Sequence, residues 1–106
     1  MIEFRLTDTS LHMTGHARSA PCGEDLVCAA ASALFNTAVI NVIKLSEQGG
    51  CAVAYDTASG DSWVSVTPVR GQEEEVRQVF RVIGNGLTGM VATYPAYIRR
   101  NEEAAV

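Results

Sequence analysis

Ile2, Phe4 and Leu6 alternate with Glu3, Arg5 and Thr7 at the start of the chain, the two-residue period of a half-buried strand. Asp8-Thr9-Ser10 follows as a cluster of turn residues. Beyond it Leu11 and Met13 fall on one face and His12, Thr14 and His16 on the other, so the pattern predicts a hairpin. From Asp25 to Leu45 the alternation gives way to a long apolar stretch, read as a helix with Asp25 as its N-cap and Gly49-Gly50 marking its far end. Its first half is rich in alanine (Ala29, Ala30, Ala31, Ala33) and it is apolar on most sides. A helix of that kind is buried on more than one side. One face is expected to cover the sheet, and a second copy of the chain is a candidate cover for the rest.

Cys51 to Tyr55 and Trp63 to Val69 predict a second hairpin, with Thr57-Ala58-Ser59-Gly60-Asp61 as its turn. Pro68 points to a strand end or an edge. A second helix starts near Gln72, behind Glu73-Glu74-Glu75, a run suited to the positive end of a helix dipole. Val76, Val79, Phe80, Ile83, Leu87, Met90, Val91 and Tyr94 follow helical spacing. Gly84, Gly86 and Gly89 each weaken that helix by ~1 kcal/mol relative to alanine; they either permit close packing or break it. Pro95 ends it, and Ala96 to Arg100 is a candidate for a short last strand. The order β-β-α-β-β-α predicts an α+β fold, a small and mainly antiparallel sheet with two helices packed on it.

Composition narrows the classes. The 106 residues suit one domain, 1–106, and 47% hydrophobic against 19% charged residues argues against disorder. The formal charge is −4, Lys44 is the only lysine, and the arginines are scattered apart from Arg99 and Arg100. Without a basic stripe no direct nucleic-acid binding is expected, and an acidic surface favours a basic partner. The first residues lack the cationic and apolar segments of a signal peptide. Ser32, Asn36, Thr37, Asn41 and Lys44 interrupt the apolar stretch, so it reads as a core helix and not a membrane span. Cys22, Cys28 and Cys51 are odd in number and lack metal-ligand spacing. Reduced thiols in the cytoplasm are expected, with no metal and no cofactor.

The chemistry concentrates between Gly15 and Ser32. His16 stands where a strand ends, and Cys28 lies on the first turn of the following helix, twelve positions later. If strand end and helix start lie side by side, the two side chains can approach. A thiol attacks as the thiolate, which a helix N-terminus and a histidine partner both favour. Gly15 lets the backbone beside His16 approach closely, and backbone N–H groups near Cys28 are candidates to hold an oxyanion. The residues alone leave other readings open. Cys28 sits among alanines and cysteine is often buried, Cys51 opens a strand and reads as core, His12 reads as a surface residue, and Cys22 reads as a loop thiol. Asp25 either caps the helix or orients His16.

The run Gly15-His16-Ala17, followed by Gly23-Glu24-Asp25-Leu26-Val27-Cys28-Ala29 and Ser32, resembles the ribosomal-processing cysteine protease family (Prp, YsxB-like), and Tyr94-Pro95-Ala96-Tyr97-Ile98 resembles its usual close. That resemblance implies a cysteine endopeptidase with a Cys–His dyad, Cys28 as nucleophile and His16 as general base and acid. Gly15, Asp25 and Ser32 match recurring motif positions. It also implies a cytoplasmic homodimer, paired through helices, that removes the N-terminal extension of a large-subunit ribosomal protein of the bL27 type. Arg18-Ser19-Ala20-Pro21-Cys22 departs from the family's loop, which commonly carries glycine and an aromatic residue. The rival class is a non-enzymatic ribosome-associated binding protein with Cys28 structural; a redox sensor using Cys22 and Cys28 is a third reading.

Overall fold

The alternating segments do become strands. In the computed structural model, which describes residues 1–17 and 25–101, the elements are β1 (Ile2–Leu6), β2 (Ser10–Thr14), α1 (Leu26–Glu47), β3 (Cys51–Ala58), β4 (Asp61–Pro68), α2 (Glu73–Thr93) and β5 (Ile98–Arg100). The five strands form one sheet in the order β3-β4-β2-β1-β5. All neighbours are antiparallel except β1 and β5, which run parallel. The expected last strand is therefore present, and it closes the sheet beside the first.

The period of two decides which face is buried. Phe4, Leu11, Val64 and Val66 point to the helical side and are buried, as is Ile98 of β5. On the other side Arg5 faces His12, His12 faces Trp63, and Trp63 faces Asp56, one residue per strand in register. This polar row is open to solvent on its far side.

The two helices cover the apolar side. α1 buries Val27, Ala31, Phe35, Ala38, Val39 and Val42, spaced as one helical stripe. By length and composition it is apolar enough to cross a membrane, but that stripe is built into the core beneath the sheet. Gly50 N–H donates to Leu45 O at 2.9 Å and Gly49 N–H to Ser46 O at 2.9 Å, with Gly49 at φ +80. This pair of bonds around a left-handed residue is a Schellman ending. α2 continues unbroken through its glycines, because two of them are contact points. A Cβ at Gly84 would stand 2.5 Å from Leu6 Cδ2, and one at Gly86 3.0 Å from Leu34 Cδ2. Gly84 lets α2 settle on β1, and Gly86 lets it settle on α1; Gly89 meets nothing within 4 Å.

The second hairpin is tighter than the sequence suggests. Thr57 pairs with Ser62 and Ala58 with Asp61, so the turn is only Ser59-Gly60, with Gly60 at φ +79. Pro68 closes β4, an interior strand, at its end. Glu3 of β1 is bonded to Arg99 of β5 and accepts from Asn101 Nδ2 at 3.3 Å. The Arg99 hydrogen bond holds the Glu3 carboxyl below its ordinary value of 4.5.

Candidate active site

β2 stops at Thr14 because Gly15 leaves the extended conformation, at φ +88. A Cβ there would stand 2.2 Å from the carbonyl oxygen of Met1, so only glycine can occupy the position. Gly15 N–H donates to Gly60 O at 2.9 Å, which ties the end of β2 to the β3–β4 turn. His16 comes next and is exposed; its carbonyl accepts from the backbone nitrogen of Met1 at 2.5 Å. Ala17 is buried, and its N–H donates to Cys28 Sγ at 3.2 Å. Strand end and helix start therefore lie side by side.

The helix start is organised by Asp25. It adopts extended backbone angles, and its Oδ1 accepts from Val27 N–H at 3.1 Å and Cys28 N–H at 3.0 Å, the arrangement of an N-cap. This assigns Asp25 the capping role. The N–H groups of Val27 and Cys28 are thereby taken up by the cap. The N–H aimed at the sulfur comes from across the loop, at Ala17. Cys28 is half-buried on the first turn.

His16, Cys28, Ser32 and Gly15 line one cleft of about 390 Å³. Met13, Ala31 and Phe35 supply apolar lining, and Thr57 to Ser62 of the β3–β4 hairpin form a wall. The imidazole of His16 rests on that wall: a Cβ at Gly60 would stand 2.8 Å from Nε2. Among the described residues, no hydrogen bond joins the His16 ring to Cys28; the two side chains share a cleft, each against its own backbone support. Cys51 belongs elsewhere. It is buried, its Sγ donates to Val42 O at 3.5 Å, and burial pushes its thiol up. Among the described residues no group of three His, Cys, Asp or Glu side chains is placed to hold a metal ion. Cys22 and Gly23, with the redox reading that uses Cys22, lie outside the described residues.

Sequence reasoning missed the hairpin's part in the site. The signal was the Ser59-Gly60-Asp61 turn, which says that a chain reverses but not what it reverses against.

The whole arrangement coincides with a known one: residues 1–99 match the family described as cysteine protease Prp. The chain belongs to this family. It is accordingly a cysteine protease, and the non-enzymatic binding-protein reading falls. Prp of S. aureus, an essential ribosomal processing protease crystallised with a covalently linked product peptide, has a TM-score of 0.73 at 25% identity. The match covers 94% of this chain and 95% of that one. With a substrate peptide instead, S. aureus Prp gives a TM-score of 0.70 at 23% identity, with 94% and 95% covered. SMU.848 of Streptococcus mutans gives 0.66 at 24% identity, with 94% and 90% covered. No curated protein matches this chain. The Prp fold thus includes the five-stranded sheet, the parallel β1–β5 pair and both helices seen here.

Proposed function

We propose that the chain, 1–106, is one protease domain that removes the N-terminal extension of a large-subunit ribosomal protein of the bL27 type, with Cys28 as nucleophile and His16 as general base and acid. The observation that carries this reading is the Ala17 N–H bond to Cys28 Sγ at 3.2 Å. It draws the residue next to His16 onto the one cysteine that lines the cleft among the described residues. The covalently linked product peptide of S. aureus Prp supports a covalent mechanism in the family.

The chemistry follows from the groups present. His16 takes the proton of the Cys28 thiol, and Sγ attacks the scissile carbonyl carbon, leaving its oxygen negative. The Ala17 N–H, bonded to Sγ, favours the thiolate from which this attack starts. As the C–N bond breaks, His16 gives its proton to the leaving amine. The thioester is then hydrolysed by a water that His16 deprotonates, and the thiol is restored. Asp25 serves this step indirectly, by fixing the first turn of α1. Gly15 lets His16 follow on the end of β2, and Ser32, exposed one turn beyond Cys28, lines the same cleft, which supports a contact with the bound peptide. The acidic balance of the chain suits a basic ribosomal protein tail.

Leu26, Ala29, Ala30, Ala33 and Ile40 remain exposed on α1, which supports a homodimer paired through this helix; a ribosomal protein substrate supports a cytoplasmic location. Sedimentation showing only ~11 kDa particles would refute the dimer.

The function is tested by intact-mass analysis of the extended ribosomal protein from the same organism after incubation. Wild type and Cys51→Ala should shorten it, and Cys28→Ala should bind it without cutting. An unchanged mass with wild type overturns the reading.

A further inference from the structure

The His16 ring makes no hydrogen bond among the described residues, and His16 lies beyond the end of β2. Among those residues, the support for an imidazole that must pass a proton accurately is its packing. The surface it packs on is the Ser59-Gly60 turn, which is held without any help from His16. Ala58 pairs with Asp61 across the turn. Ser62 Oγ donates to Ala58 O at 3.1 Å. His12 Nε2 meets Asp61 Oδ1 at 2.7 Å, and Gly15 N–H reaches Gly60 O at 2.9 Å. The turn is thus tied to β2 on both sides of Met13, by a side-chain pair before it and a backbone bond after it.

Gly60 is where this rigid turn and the ring meet. A Cβ built there lies 2.8 Å from Nε2, 3.4 Å from Cε1 and 3.5 Å from Cδ2. The Nε2 end of the ring therefore lies over the space that a side chain would fill. We propose that Gly60 is a positioning residue for His16, and that the β3–β4 turn is the seat which sets the ring's place in the cleft. This rests on the reading of His16 as the proton-transfer group. It assigns the hairpin a part in catalysis without contact to the reacting atoms.

The test must separate the loss of the seat from the strain of a side chain at positive φ. Gly71 has φ +93 and nothing within 4 Å of its Cβ position, so Gly71→Ala carries similar backbone strain with no neighbour to displace. Gly60→Ala should lower kcat tenfold or more with KM within about twofold, while Gly71→Ala keeps kcat within about twofold, a split expected when positioning and not binding is lost. In the His16→Ala background, Gly60→Ala should slow Cys28 alkylation no further. Because asparagine tolerates positive φ, Gly60→Asn repeats the test should Gly60→Ala not fold. Labelling histidine with ¹⁵N reads the seat directly: Gly60→Ala or Gly60→Asn should shift the His16 ring resonances and Gly71→Ala should not. Unmoved His16 resonances, or equal kcat for the Gly60 and Gly71 variants, overturn the proposal. Shifted resonances in a protein whose wild type cuts nothing would leave the seat standing and defeat the protease assignment of these residues.

Discussion

Three glycines of α2 offer one substitution in three surroundings. Alanine gains about 1 kcal/mol over glycine inside a helix. At Gly89 the added Cβ meets nothing within 4 Å, so Gly89→Ala should keep the whole gain. For a chain of this size that raises Tm by about 4–8 °C. At Gly86 the Cβ would stand 3.0 and 3.2 Å from the two Leu34 methyl carbons; a shift of a few tenths of an ångström offsets most of the gain, and Tm should hardly change. At Gly84 it would stand 2.5 Å from Leu6 Cδ2. Overpacking of this kind costs about 1–3 kcal/mol, which leaves Gly84→Ala up to about 2 kcal/mol less stable than wild type after the propensity gain. Truncating the neighbour should remove the clash, so Gly84→Ala made in Leu6→Ala should stabilise instead of destabilise, a coupling that a double-mutant cycle isolates. Thermal unfolding followed by circular dichroism reads all of these. A Tm order other than Gly89→Ala above Gly86→Ala above Gly84→Ala refutes the packing argument, and a Gly89→Ala that melts lower refutes the open face assigned to that turn of α2.

The two described thiols should differ in reactivity. Iodoacetamide at neutral pH should label Cys28 and leave Cys51, buried and with its thiol pushed up, unlabelled until the protein unfolds; equal rates for both would contradict the site. Asp25→Ala should cost about 0.5–2 kcal/mol by stripping the cap, and Asp25→Asn much less, since asparagine caps as well; equal losses in urea unfolding would show that the cap geometry is not what Asp25 contributes. Glu3 is held below its ordinary value of 4.5 by Arg99. A depressed carboxyl adds stability that is complete above the unfolded value and is lost as pH falls through the folded one. Wild type should therefore lose Tm on acidification below about 4.5 more steeply than Glu3→Gln, the two curves converging at low pH. Parallel curves would rule out the Glu3–Arg99 contribution.

The elements were legible wherever one face is buried. Ile2, Phe4, Leu11 and Met13 alternate because a core lies on one side only, and Asp25 reads as a cap because its side chain does what a cap does. The β3–β4 hairpin was misread as having a five-residue turn because Ala54 to Asp61 is largely exposed on both faces, so its strand residues are as polar as turn residues. Sheet order was not legible, since nothing in Ile98 names Ile2 as its partner. In the site, the motif bearing His16 and Cys28 stood out by resemblance, and the fold brings both to one cleft. The seat at Gly60 did not stand out, because it arises from a contact between residues 44 positions apart.

The parallel pairing of β1 with β5 sets an order of events during synthesis. Ile2 N–H donates to Tyr97 O, and Asn101 N–H to Phe4 O, so the outer edge of β1 waits for nearly the whole chain. At about 5–20 residues per second, that edge stays unpaired for roughly 5–20 s after it is made. Met1, leading into that strand, supports the site, since its carbonyl forces Gly15 and its nitrogen holds the His16 carbonyl. The nascent chain therefore carries His16 and Cys28 long before the scaffold of their cleft can close, and the proposed dyad should act only once the last strand is in place.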